Sequence, residues 1–247
     1  MRCANDKIVD RPFKLTVVYD NNPYDSALKT DWGFSCLVEG AEKKILFDTG
    51  SNGDTLLSNM GQLGLNPQDI EIVVLSHFHK DHTGGLSSLL GQNPNITVYC
   101  PHFFPEKFKK AINTSGASYK DVQSHQKIRE HVYTSGVIKG WINEQSLILE
   151  SHKGLVLITG CAHPRIVNII SRVRQMTGQD IYMALGGFHL TGFETGEINE
   201  IIHSFKEQGV KKVGPSHCSG KDARNLFQNA FGNDYIPIGV GKRIRVS

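Results

Sequence analysis

The segment Ser76-His77-Phe78-His79-Lys80-Asp81-His82-Thr83-Gly84-Gly85 sets three histidines and an aspartate in the spacing HxHxDH. With 11 histidines in 247 residues, the pattern arises by chance in about one such chain in a thousand, so it asks for a chemical reason. Residues i and i+2 of an extended segment point to the same side, which lets His77 and His79 share one metal ion. Asp81 and His82 then fall in the turn before a helix start at Gly84-Gly85, where the bending chain aims them at a second ion. Imidazole and carboxylate donors suit zinc, and also iron or manganese. A structural zinc site usually brings cysteines, so this set reads as catalytic.

A metal needs more protein ligands than two, and the rest must come from elsewhere in the chain. Three further histidines stand at strand ends: His163 in Thr159-Gly160-Cys161-Ala162-His163-Pro164, His189 in Gly186-Gly187-Phe188-His189, and His217 in Pro215-Ser216-His217-Cys218-Ser219-Gly220. Each follows an apolar run and leads into a Gly- or Pro-marked turn, a recurrence that core packing does not explain. Beside HxHxDH, His163 and His217 join the expected ligand set. His189 is a ligand, a proton donor to a leaving group or a substrate contact. Cys161, two residues before His163, could face the metals as a thiolate, although a buried thiol is the preferred reading. Arg165 could reach a substrate anion or form a surface salt bridge. Ser219-Gly220-Lys221 could offer backbone N–H groups and an ammonium to a phosphate, or be an ordinary helix start. His102, His125, His131, His152 and His203 lack such settings and read as surface residues.

The elements that must position these residues follow from hydrophobic patterning. Short apolar runs at Leu15–Tyr19, Phe34–Val38 and Lys44–Phe47 read as antiparallel strands, the last two joined by the Glu39-Gly40-Ala41-Glu42-Lys43 turn. Apolar residues at 56, 57, 60 and 63 give a helix over 54–63, and Ile72–Leu75 is a buried-strand run. The second half repeats the grammar, with strands near 146–149, 155–158, 181–185 and 212–214, helices over 164–176, 196–208 and 221–231, and short strands near Ile236 and Ile244. Two sheet-plus-helix halves imply a sandwich of two sheets covered by helices. Residues 101–130, polar and with six Lys/Arg against three acidic residues, interrupt the rhythm and read as a lid or insertion within one 1–247 domain, or as a solvated helix pair. Phe103, Phe104, Phe108 and Tyr119 there could stack on a planar ring or form the small core that anchors the segment.

Composition narrows the class. A net charge of +3 and pI near 8.5 lack the clustered charge of a dedicated nucleic-acid binder and fit a phosphorylated metabolite better. Cys3, Cys36, Cys100, Cys161 and Cys218 are odd in number and widely spaced, with no CxxC pair, so reduced thiols and a cytoplasmic setting are expected. No apolar run approaches the ~20 residues of a membrane span. Oligomeric state is not legible.

HxHxDH after a buried strand, the earlier Phe47-Asp48-Thr49-Gly50, the Thr159–His163 segment and the late His217 occur in an order that resembles the metallo-β-lactamase superfamily over essentially the whole chain. The resemblance implies an α/β (α+β) fold, a four-layer αββα sandwich, with a two-metal site at one edge of the sheets. By position His77, His79 and His163 would hold the first ion and Asp81, His82 and His217 the second, while Asp48 would orient a ligand from behind. The superfamily usually places a metal-bridging aspartate between its third and last histidines; the corresponding strand end here is Gly186-Gly187-Phe188-His189, and an imidazole bridges two metals only by losing its ring proton. The segments GCAHPRIVNII, LGGFHL and PSHCSG most resemble a subgroup of metal-dependent hydrolases that includes the dihydropterin ribofuranosylaminobenzene phosphate synthases.

The expected function is therefore a metal-dependent hydrolase that attacks a phosphorylated small molecule through metal-bound hydroxide, with two divalent ions and with Asp81, Asp48 and His189 assisting. The alternative implied by the subgroup is a transferase that joins a dihydropterin methyl diphosphate to a ribofuranosylaminobenzene phosphate and releases pyrophosphate. A second alternative is a non-catalytic metal-containing pterin or nucleotide binder. The redox branch of the superfamily usually has a carboxylate where His79 stands, and a nuclease would be expected to carry extra domains or a basic arm.

Overall fold

A computed structural model describes residues 12–246; Cys3 and the amino-terminal segment lie outside the described residues. The first half runs β1 (Phe13–Asp20), β2 (Phe34–Glu39), β3 (Lys44–Phe47), α1 (Gly53–Gln62), β4 (Ile70–Val74), α2 (Lys80–Thr83), α3 (Leu86–Gln92), β5 (Thr97–Pro101), α4 (Glu106–Thr114) and β6 (Ser118–Val122). The second half runs β7 (Ser124–Arg129), β8 (Val132–Gly136), β9 (Leu147–Ser151), β10 (Gly154–Thr159), α5 (Ile166–Thr177), β11 (Ile181–Gly187), α6 (Thr195–Glu207), β12 (Lys212–Ser216), α7 (Lys221–Phe231) and β13 (Arg243–Val246). The strands form one sheet in the order β13-β1-β2-β3-β4-β5-β6 and a second in the order β12-β11-β10-β9-β8-β7.

Strands with apolar residues on both faces need cover on both faces, and the side-chain alternation shows where each face goes. Cys36, Val38, Ile45, Phe47, Ile72 and Val74 of the first sheet share one core with Leu147, Leu149, Val156, Ile158, Met183 and Leu185 of the second. The intervening residues Leu37, Leu46 and Val73 face outward onto Leu56 and Met60 of α1 and Leu86 and Leu89 of α3. Likewise Ile148, Leu155, Leu157 and Ala184 face Ile166, Ile169, Ile170 and Val173 of α5 and Ile198, Ile202 and Phe205 of α6. Three apolar layers between four structural layers constitute the αββα sandwich.

The helices carry their own stop and start signals. Asn52 caps α1 by accepting from the N–H groups of Asp54 and Thr55. Glu194 and Glu197 form a reciprocal capping box at α6, and Gly178 ends α5 in the left-handed conformation that glycine adopts without strain.

Residues 101–130 supply α4 and the edge strands of both sheets, β6 paired parallel to β5 and β7 paired antiparallel to β8. Their outward faces meet solvent, which is why the run reads as polar. No strand forms at Ile236; its N–H donates to Val213 O, and a single bridge joins Val213 to Tyr235. Pro237, which has no N–H, follows at once.

Candidate metal centre

The carboxyl-terminal ends of β4, β10, β11 and β12 point to one edge of the sandwich, and the histidines follow them. His77 lies just past β4, His163 past β10, His189 past β11, and His217 directly after β12. The expected pairing of His77 with His79 occurs, with ring centroids 4.6 Å apart, although a bend rather than an extended strand carries them and Phe78 turns outward. His77 also lies 4.3 Å from His82 and 4.6 Å from His163, and His82 lies 5.1 Å from His217, all between ring centroids. Asp81 Oδ2 approaches His217 Nε2 at 3.3 Å and His82 Nε2 at 3.6 Å. All six residues read as ligands thus converge.

The outer nitrogen of each deeply buried imidazole is anchored to a fixed partner. His82 Nδ1 lies 2.7 Å from Asp48 Oδ2, and Asp48 also accepts from the N–H and hydroxyl of Ser76, both at 2.7 Å. The Ser76 hydroxyl lies 2.9 Å from His77 Nδ1. His163 Nδ1 lies 3.0 Å from Glu144 Oε2, and His217 Nδ1 lies 2.8 Å from Asn21 Oδ1. Acceptors at Nδ1 assign the proton to that nitrogen and leave the Nε2 lone pair facing inward. The inward His217 Nε2 is buried without a hydrogen-bond partner.

Burial sets the charges. His77 is pushed well below its ordinary value by burial, with the neighbouring His82 adding to the shift. His82 is pushed down to about 3, by burial first and then by His217. Burial alone would raise Asp81, but the His217 ring 3.3 Å away and then the His82 ring hold it below the usual carboxylate range. Glu144 behaves alike: burial opposes ionisation, and His77, His163 and the Ala162 N–H overcome it. Imidazoles held neutral at His77 and His82, ionised carboxylates at Asp81 and Glu144, and ring nitrogens that face inward are the donor set a cation requires, so the residues fit a metal.

Two of these partners have no counterpart in the sequence reading. Glu144, fully buried, accepts from the N–H groups of Gly160, Cys161, Ala162 and His163 at 2.9 to 3.1 Å. It thereby fixes the entire turn that carries His163. Asn21 lies in the Asp20-Asn21-Asn22 turn that ends β1, where Asp20 accepts from the Ser216 hydroxyl next to His217. The backbone pays for the convergence: Asp48, Ala162, Arg165, His189 and His217 all have φ between 49° and 74°, a region that costs a non-glycine residue about 1–3 kcal/mol.

Of the remaining predicted residues, His189 and Arg165 lie beside this cluster. His189 is half-buried, its ring 4.6 Å from that of His163, with Nδ1 unpartnered; a hydrogen bond with Cys218 raises its proton affinity. Arg165 lays its guanidinium over Phe193 at 5.0 Å and lines a cavity of about 390 Å³ with His163, His189, Phe188 and Trp141. Lys221 is exposed at the start of α7, and the Ser219 hydroxyl is committed to Phe188 N–H and Ser216 O. Phe104 is buried on the helix side of the first sheet, and with Phe108 it packs against Phe78, so these two serve the core. The large hydrophobic residues left exposed include Trp32, Phe78 and Trp141. Trp32 lies 4.9 Å from the His217 ring and Trp141 4.9 Å from the His163 ring, an aromatic rim that sequence patterning gives no means of placing.

Among the described residues no helix is long and apolar enough to cross a membrane. A family model described as the metallo-beta-lactamase superfamily matches residues 33–174. A 7,8-dihydropterin-6-methyl-4-(beta-D-ribofuranosyl)-aminobenzene-5'-phosphate synthase of Methanocaldococcus jannaschii is 30% identical, over 96% of this chain and 97% of that one. A crystal structure of a metal-dependent hydrolase of the beta-lactamase superfamily matches with a TM-score of 0.78 at 28% identity, covering 95% of this chain and 99% of that one. The short form of human tRNase Z shares the fold, with a TM-score of 0.59 at 12% identity over 95% of this chain and 99% of its own.

Proposed function

Since the chain belongs to the metallo-beta-lactamase superfamily, we propose that the histidine cluster holds two divalent metal ions and serves a transferase joining a dihydropterin methyl diphosphate to a ribofuranosylaminobenzene phosphate. His77, His79 and His163 would hold one ion and Asp81, His82 and His217 the other, with zinc the metal best suited to these donors and iron or manganese next. Bound there, the ions neutralise the charge of the diphosphate leaving group.

The observation that carries this reading is the aromatic rim. Trp32 and Trp141 stay exposed beside the ligand histidines, where their flat faces are open to a planar substrate ring. Planar rings stack on such surfaces. Beside Trp141, Arg165 is held over Phe193 at the cavity wall, so a ring and an anion can be taken up together. Lys221 is a further cation for a substrate phosphate. The relative named as a synthase, matched along nearly all of both chains, supports the same choice.

The reaction balances without an external reagent. The arylamine nitrogen forms a C–N bond to the pterin methylene carbon, the C–O bond to the diphosphate breaks, and its electron pair leaves with pyrophosphate. The amine proton must be taken up, and His189, half-buried on the wall of the cavity, is assigned that task. Asp48 acts through His82 as a positioning residue. Hydrolysis of a phosphorylated small molecule, the reading expected first from the sequence, needs the same ions but no arylamine. Pyrophosphate release should therefore be measured with and without the arylamine. Release that requires it is the expected result, and equal release without it would replace the transferase by a hydrolase.

A further inference from the structure

Cys161 and Cys218 are left without a role in that account, yet they occupy its centre. Cys161 Sγ belongs to three groups of ligand atoms that each lie within 4.8 Å of one another: with Asp81, His82 and His217; with His77 and His163; and with His189 and Cys218. The sulfur therefore lies within reach of all three residues of one proposed ligand set and of His77 and His163 of the other. His82 Nε2 lies 3.2 Å from it, and Cys161 is almost fully buried. Its position is not a packing accident, because Glu144 accepts from the N–H groups of Cys161 and both its neighbours. Two inward nitrogens nearby, His217 Nε2 and His189 Nδ1, have no hydrogen-bond partner.

The neighbouring strand end explains why sulfur fills this place. β11 ends at Gly187, and a Cβ there would lie 2.2 Å from Gly160 O, 2.8 Å from Cys218 Sγ and 3.1 Å from Cys161 Cα. A carboxylate-bearing residue at position 187 would thus run into the Gly160 carbonyl first and into the two cysteines behind it. Cys218 Sγ in turn lies 3.6 Å from Cys161 O, so the pair packs as a unit against a strand end that offers no side chain.

We infer that Cys161 is a metal ligand shared by the two ligand sets, its thiolate supplying the bridging donor for which the end of β11 has no room. With a cation bound, Cys161 would serve as the thiolate, its S–H proton released to solvent and the electron pair of that bond left on sulfur for the cation. Thiolate bridging is compatible with zinc, whose sulfur bonds are about 2.3 Å long. The inference rests on the metal-centre reading above and is independent of the substrate.

The test is spectroscopic and needs no turnover. The zinc-loaded protein is examined by X-ray absorption, and the cobalt-loaded protein by near-ultraviolet absorption, for the wild type, Cys161→Ser and Cys218→Ser, with metal content measured on each sample. The wild type is expected to show a sulfur neighbour at about 2.3 Å and a thiolate-to-cobalt charge-transfer band. Both should vanish in Cys161→Ser and persist in Cys218→Ser. A metal-loaded wild type with only nitrogen and oxygen neighbours and no such band overturns the inference, as does a band lost in Cys218→Ser alone or a Cys161–Cys218 disulfide in the active protein. Wild-type X-ray absorption decides the matter even if Cys161→Ser fails to fold. A wild type that takes up no metal would instead overturn the metal-centre reading itself.

Discussion

The first sheet delivers His77, His79, Asp81 and His82 from one turn after β4, whereas the second delivers His163, His189 and His217 from three separate strand ends. Each half has its own buried carboxylate. Asp48 serves the first by accepting from Ser76 and His82. Glu144 serves the second by accepting from four backbone N–H groups and His163. The first half needs little help because the ligands share one short stretch of chain. The second must hold a strained turn in register with a distant strand, and it spends a whole carboxylate on backbone. Ligands that are local in sequence require orientation, while ligands that are distant require a scaffold.

The largest effect expected from this contrast is at Glu144. Glu144→Ala leaves four N–H groups and His163 without their acceptor and should cost on the order of 3–5 kcal/mol in denaturant unfolding, together with metal. A loss below about 0.5 kcal/mol, typical of a surface site, would break the comparison. Asp48→Asn keeps the shape and replaces the carboxyl acceptor opposite His82 Nδ1 by an amide, so metal affinity should fall about 10–100-fold with a smaller loss of stability. Titration against a chromogenic chelator measures it.

This asymmetry also explains what the sequence discloses. HxHxDH is legible because its ligands are contiguous, and His163, His189 and His217 are legible because each sits at the end of an apolar run. Glu144 is not: Trp141-Ile142-Asn143-Glu144-Gln145 carries no ligand motif, and only tertiary structure brings it to residues 160–163. The buried strands announce their four-layer packing through unbroken apolar runs. β6 and β7 do not, since edge strands with a solvated face lose that signal and resemble an insertion. The aromatic rim is equally silent, because an exposed tryptophan has no sequence period.

The histidines His77 and His82 of the first half titrate in the opposite sense to His189 and His217 of the second, while burial raises Asp48 and so sets it against its own half's histidines on acidification. His77 and His82 have lowered folded-state values, so in metal-free protein their stabilisation is complete above the ordinary histidine value of about 6.5 and is lost as the pH falls below it. For His82 the loss continues to about 3. His189 and His217 are raised, so their stabilisation is complete below about 6.5 and is lost as the pH rises through their folded-state values. The first-half shifts stem mainly from burial, and Asp81 and Glu144, held low, act in the same direction on acidification. Thermal melts of metal-free protein should therefore show lower stability at pH 5 than at pH 7, each buried histidine contributing a slope of up to about 1.4 kcal/mol per pH unit. A flat or rising trend on acidification would mean that His189, His217 and Asp48 dominate.

The smallest effect is expected at Asn21, a neutral acceptor for His217. Asn21→Ala should cost about 1 kcal/mol of stability and weaken metal binding less than Asp48→Asn does; an effect as large as that of Glu144→Ala would erase the distinction between orientation and scaffold.

The central claim is that the two halves build one metal centre, and metal content tests it most directly. Elemental analysis of protein purified without chelators, beside His77→Ala from the first half and His217→Ala from the second, should find metal in the wild type and a loss in both variants. Wild-type protein without metal, or variants that retain the full complement, would contradict it.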